Sequence, residues 1–149
     1  MTPVLIFFIQ DQLNSQKIGI TLFRNSQITN TFYTFHESAL QALRKNLSRF
    51  INQKGFHSQF KPVKKLGKGN FASVYQVIRV EDGKKFAVKA FSKANTYNSE
   101  NGKESLINEL SIMRELSHQS DNLLCLEAVY ESDNSIYIVL ELLEGKNLY

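Results

Sequence analysis

Residues 66–75, LGKGNFASVY, followed by FAVK at 86–89, constrain this chain more than any other stretch of it. Gly67 and Gly69 carry no Cβ, so the backbone there is free to take unusual dihedrals and to pass close over an anion, offering it amide N–H groups. Lys89, 22 residues beyond Gly67, supplies a fixed positive charge. Residues 71–80 are rich in branched and aromatic side chains and predict a strand. Glu81-Asp82-Gly83-Lys84 contains the Asp-Gly pair that favours a tight hairpin, and 85–91 predicts the next strand. Glycines and lysine are therefore expected on neighbouring strands of one antiparallel sheet.

A G-x-G-x-x-G-like string, here with Ala72 in the third place, marks by itself no more than a tight turn. Context separates the alternatives. A dinucleotide fold needs the glycines between a strand and a helix, whereas here a second strand follows at once; a P-loop needs G-x-x-x-x-G-K-[ST], and the sequence has none. What remains resembles the protein-kinase arrangement, in which a glycine-rich hairpin covers ATP and a lysine on the third strand pairs with its phosphates. Such a lysine must be aimed by a glutamate on a following helix, because an unpaired ammonium in a half-closed cleft is mobile. Residues 103–117, KESLINELSIMRELS, put Leu106, Leu110, Met113 and Ser117 on one helical face, with Glu109 at its border. Residues 122–131 and 135–143 predict two further strands about a polar turn at Ser132-Asp133-Asn134.

In this order of parts, residues 60–149 resemble the small lobe of a eukaryotic protein kinase. The resemblance implies an α+β fold, a five-stranded antiparallel sheet with one helix, and ATP as cofactor. It places Leu66 and Val74 in the roof of an adenine pocket, Ala87 against the adenine face, and Phe71 at the tip of a phosphate-covering loop that includes Gly67, Lys68, Gly69, Asn70, Ala72 and Ser73. Lys89 would contact the α and β phosphates while pairing with Glu109. Leu140 falls at the gatekeeper position, and Glu141 and Leu143 fall on the hinge, where backbone groups rather than side chains would bond the adenine edge. The stretch 107–145 is most similar to the calmodulin-dependent group of serine/threonine kinases. A methyl at Ala72 is small enough for the loop. The larger departure is that no H-R-D, D-F-G or A-P-E string occurs in the sequence. The 149 residues therefore hold half of an active site. Mg²⁺ is expected only together with ATP and the large lobe, and a protein substrate only for a full-length kinase. The alternative is a catalytically dead fragment that binds nucleotide or a partner.

With 42% hydrophobic and 21% charged residues the chain reads as a globular protein in one main domain. Cys125 is the single cysteine, so no intramolecular disulfide forms. Its apolar setting predicts a buried strand position, and a reducing, cytoplasmic compartment fits. The longest apolar run, VLIFFI at 4–9, is too short to cross a membrane and predicts a buried strand. His118 is suited to cap the helix before it, while His36 and His57 have no metal-ligating partner at useful spacing.

Charge divides the chain. Before residue 60 stand six Lys or Arg and two acidic residues; the remainder carries twelve of each. A boundary is expected near 55–60, where Gly55-Phe56-His57-Ser58 breaks a helical pattern. This leader, residues 1–56, predicts strands at 4–10, 18–23 and 31–35 and a helix over 37–52 with Ala39, Leu43, Leu47 and Phe50 on one face. It resembles the C-terminal part of a pleckstrin-homology domain, without that family's usual helix tryptophan. Arg44, Lys45 and Arg49 are read as a solvated helix face in preference to a membrane phosphoinositide site, and no nucleic-acid partner is expected.

Overall fold

The computed structural model describes residues 4–10, 13–14, 16–24, 27–117 and 119–145. Three antiparallel strands, β1 (Val4–Gln10), β2 (Ile18–Arg24) and β3 (Gln27–Thr34), lead into helix α1 (Glu37–Leu47). A two-residue strand β4 (Asn52–Gln53) and a single turn of helix α2 (Phe56–Gln59) follow. Then come β5 (Phe60–Lys68), β6 (Ala72–Arg79), β7 (Lys85–Ser92), a short α3 (Lys93–Tyr97), α4 (Gly102–Leu116), β8 (Leu126–Glu131) and β9 (Ser135–Glu141).

Among the described residues these strands form one nine-stranded sheet in the order β3-β2-β1-β4-β8-β9-β7-β6-β5. The mixed α+β character stands, but the expected isolated five-stranded sheet does not. The five strands β5 to β9 are contiguous, and β4 joins them to the leader by pairing in parallel with β1 on one side and β8 on the other. Asn52 and Gln53 are too few and too polar to give the alternating hydrophobic signal of a strand, which is why the join could not be read. The expectation of one helix in the lobe also changes, since α3 precedes α4.

The leader departs in detail. Its third strand starts at Gln27 rather than 31, with an irregularity in register between Leu22 and Phe23. Its helix stops at Leu47 rather than 52, because the chain must leave the helix for Asn52 to enter the sheet. The packed face is also turned relative to the expected one. Leu40 is buried with Ile20, and Leu47, Ile51, Ile18 and Leu22 pack around them, while Leu43 and Phe50 are exposed.

The lobe sheet is covered on both sides. Toward α4 lie Phe91, Leu126, Val129, Ile136, Ile138 and Leu140, packed against Leu106 and Leu110 of that helix, the face the sequence predicted. On the far side Phe56, Phe60, Phe86 and Tyr130 gather with Val77, Val88, Ala128 and Val139. The Phe56 ring stacks on Tyr137 at 4.1 Å between centroids, which explains the turn α2. The β6–β7 hairpin turns through Gly83 at φ 71°, where a Cβ would be strained, in keeping with the Asp-Gly signal.

Candidate functional site

Strand alternation decides which side chains can meet. Val74 lies opposite Lys89, Gln76 opposite Ala87, and Ala87 opposite Leu140. Because successive side chains alternate between faces, Val74, Ala87, Lys89 and Leu140 share the face on which α4 packs. That helix carries Glu109 to the same place, and Lys89 Nζ donates to Glu109 Oε1 at 2.5 Å. The two side chains are 32% and 30% exposed, so the pair is held yet open to a third group. Helix α4 is fixed at its C-terminal end by Ser117, whose hydroxyl accepts from the Leu126 N–H at 3.0 Å.

The loop between β5 and β6 closes through one hydrogen bond, from Gly69 N–H to the Ala72 carbonyl at 2.8 Å. Neither Gly67 nor Gly69 has a positive φ, so the expected unusual dihedrals are not the reason for glycine there. Crowding within the chain does not require it either. A Cβ on Gly67 would meet nothing within 4 Å, and one on Gly69 only the Ala72 carbonyl at 3.6 Å. The strip above the loop is therefore open to a ligand that approaches the backbone closely. Leu66, Lys68, Asn70 and Phe71 are exposed, Ser73 is half-buried, and Ala72 is buried toward α4.

At the other end of the cleft, Leu140 is buried and Leu143 is exposed. The Glu141 carboxylate is engaged with the protein, Oε1 accepting the Cys125 N–H at 2.6 Å, and the Glu141 N–H donates to the Cys125 carbonyl at 3.1 Å. Cys125 itself lies just before β8 and is half-buried, not inside a strand as the sequence suggested. Desolvation is the main cause that pushes its thiol above the usual range, which disfavours the reactive thiolate.

One other expectation changes. Arg44 is not part of a solvated face: its guanidinium donates to Gln53 Oε1 at 3.2 Å and to the Tyr130 hydroxyl at 3.3 Å. His57 Nε2 lies 3.1 Å from the Tyr137 hydroxyl. His118 lies outside the described residues. Among the described residues no three His, Cys, Asp or Glu side chains gather as a metal ion would need, and no helix is long and apolar enough to cross a membrane. A cavity of about 400 Å³ opens on the far side of the sheet, between α1 and the lobe, lined by Arg44, Gln53, Phe60, Arg79, Glu127 and Tyr130 among others; no residue of the Lys89 cleft lines it.

The residues that sequence reasoning missed lie at the join. Arg114 of α4 donates from Nε to the Arg49 carbonyl and from Nη2 to Asn52 Oδ1, both at 2.8 Å. Asn52 in turn donates from Nδ2 to Glu131 Oε2 at 2.8 Å, and the other Glu131 oxygen takes Lys93 Nζ at 2.6 Å. An arginine among the polar positions of a helix gives no signal that a distant segment will hold it.

Comparison with known proteins agrees with this geometry. Residues 60–149 match the protein kinase domain. The chain is 30% identical over 127 residues to the serine/threonine-protein kinase dkf-1 of Caenorhabditis elegans, covering 84% of this chain and 17% of the relative. That stretch is longer than the kinase match, so the likeness reaches into the leader. It is also 36% identical over 84 residues to the probable serine/threonine-protein kinase fhkC of Dictyostelium discoideum, covering 56% of this chain and 14% of the relative. With the calcium-dependent protein kinase 22 of Arabidopsis thaliana it shares 40% over 84 residues, 56% of this chain and 16% of the relative. The chain thus spans less than a fifth of the length of these relatives, from 14% to 17%. A glycine-rich hairpin, a lysine on the next strand and a helical glutamate bonded to it, within a domain match that covers more than half of the sequence, mean that this chain belongs to the protein kinase family.

Proposed function

We propose that residues 60–149 are the ATP-binding lobe of a serine/threonine protein kinase, and that the whole protein transfers the γ-phosphoryl group of ATP to protein hydroxyls. The observation that carries the reading is the 2.5 Å bond between Lys89 and Glu109 beneath an open glycine hairpin. A side chain as flexible as lysine aims its charge only when something holds it, and Glu109 holds this one without enclosing it. ATP would supply the transferable phosphoryl group and would bring Mg²⁺ with it. Leu66 and Val74 would cover the adenine ring, Ala87 would floor it, and Leu140 would set the depth of the pocket. Backbone groups of Glu141 and Leu143 would bond the adenine edge; the engaged Glu141 carboxylate fits a hinge that works through its main chain. Gly67, Lys68, Gly69, Asn70, Phe71, Ala72 and Ser73 would lie over the phosphates, and Lys89 would bond the α and β phosphates. The base and the metal ligands that phosphoryl transfer also needs belong to motifs outside this sequence.

The finer grouping with calmodulin-dependent kinases is supported by the style of residues 107–145 and by the likeness to a relative named as calcium-dependent. For residues 1–56 the pleckstrin-homology-like reading rests on three strands closed by one C-terminal helix. We place the division between the two segments at 56–60 and the protein in the cytoplasm.

The test is Lys89→Met in a chain extended to include a catalytic loop. It keeps the aliphatic stem and removes only the charge, so transfer should fall about a hundredfold or more while the fold survives. Transfer within about twofold of wild type would overturn the assignment of Lys89.

A further inference from the structure

Arg114 is an arginine whose burial depresses its basicity, and the groups that satisfy it are a carbonyl and an amide oxygen, both neutral and both supplied by the leader. Burying a charge is costly unless its donors are met. Residues 60–149 alone do not supply these two acceptors, so without the leader α4 would lose the two bonds that tie half-buried Arg114 in place. Arg114 follows Glu109 by five residues, which turns it about 140° round the helix axis. Helix α4 is therefore gripped on two sides, by Lys89 of the lobe and by residues 49–52 of the leader. The second grip is itself anchored. Asn52 is only 4% exposed, bonds Glu131 at the end of β8, and sits in β4, whose neighbours are fixed by the sheet. The same Glu131 holds Lys93, the first residue of α3, which packs on α4.

We propose that the leader segment 49–52 is a brace for α4, with Arg114 and Asn52 as positioning residues that keep Glu109 in reach of Lys89. The inference rests on the reading of Lys89 and Glu109 as the nucleotide-aligning pair. It assigns the leader a regulatory part: whatever lifts residues 49–52 from α4 loosens the Lys89 ammonium without touching the cleft.

The test uses the full chain labelled with ¹⁵N, in which a lysine ammonium gives a sharp signal only while it is held. Asn52→Ala removes one acceptor of Arg114. It should speed amide exchange in α4 about tenfold or more and abolish the Lys89 ammonium signal, with the β5–β6 amides unchanged. Asn52→Asp alone would set a carboxylate against Glu131, so the rescue pairs it with Glu131→Gln, which restores the acceptor for Arg114 and lets the side chain at 131 donate to it. This pair should recover both. If Asn52→Ala does not fold, Arg114→Lys carries the same test, since lysine keeps the charge but cannot fork to two acceptors. A folded variant with α4 exchange and the Lys89 signal both unchanged would overturn the brace. Addition of Mg-ATP to the wild-type chain separates the two readings. A Lys89 signal that ignores nucleotide while responding to Asn52→Ala refutes the nucleotide assignment and leaves the brace standing; the reverse pattern refutes the brace alone.

Discussion

The two ends of the sheet are built from similar strands yet are closed very differently. In the lobe, β9 is central and both faces are sealed: Ile138 and Val139, adjacent residues on opposite faces, are each 0% exposed. In the leader, among the described residues, α1 packs on one face through Leu40 and Ile20 with half-buried residues around them, and Ile28, Phe32 and Phe35 remain exposed. Alternating hydrophobic residues are thus enough to make strands at both ends, but only a second covering layer makes a core. The lobe should tolerate the loss of the leader's packing better than the leader tolerates the loss of the lobe.

The contrast can be broken most directly by emptying each core. Ile138→Ala should cost about 4 kcal/mol, because its neighbours are themselves locked and the cavity stays open, whereas Leu40→Ala should cost about 2 kcal/mol, since its half-exposed neighbours can close in. Urea denaturation of the two variants measures this, and equal costs would show that the leader core is as tight as the lobe's. Glycines sharpen the same comparison. A Cβ on Gly19 in β2 would collide with the Phe32 carbonyl of β3, so Gly19→Ala must push two strands apart. It should cost about 1–3 kcal/mol, while Gly67→Ala in the open loop should stay within about 0.5 kcal/mol. The opposite order in thermal melting would mean that the leader strands yield easily.

The smallest effect concerns acid. Arg79 forks onto Asp82, with Nη2 to Oδ2 at 2.6 Å, and reaches Glu127 with Nη1 at 2.7 Å. The hydrogen bonds from Arg79 are the main cause that lowers the Asp82 carboxyl from 3.8 to about 2. A carboxyl held below its unfolded value stabilises the fold fully above about pH 4, and that contribution is lost as pH falls through about 2. Solvent screens this partly exposed pair, so the loss should stay under about 1 kcal/mol. It should be confined to the β6–β7 hairpin in hydrogen exchange, and Asp82→Asn should flatten it. Equal acid loosening of β2 and β3 would show that the two ends share the titration.

Much of the lobe was legible because its signals are local. The Asp-Gly turn at 82–83 and the face Leu106, Leu110, Met113 and Ser117 are each set by residues close in sequence or by one helical period, whereas the pairing of Glu109 with Lys89 was expected from the family resemblance. The leader helix was misread by one position, from Ala39 and Leu43 to Leu40 and Arg44, because arginine counts as polar in any pattern although its stem and fork can be buried when acceptors are at hand. The joining strand was invisible for a different reason. Asn52 and Gln53 are in the sheet because of what lies on either side of them, β1 and β8, and no property of the dipeptide announces partners so distant in sequence.

That dipeptide also has a mechanical meaning. Seven residue pairs join β6 to β7 and seven join β1 to β2, whereas β4 is fastened by two pairs on each side. The sheet has a waist, two broad plates connected by a strap. Tension applied between the ends of the chain should part the strap before either plate yields, so a pulling experiment should record an early, low-force release of the leader followed by a later, stiffer rupture of the lobe.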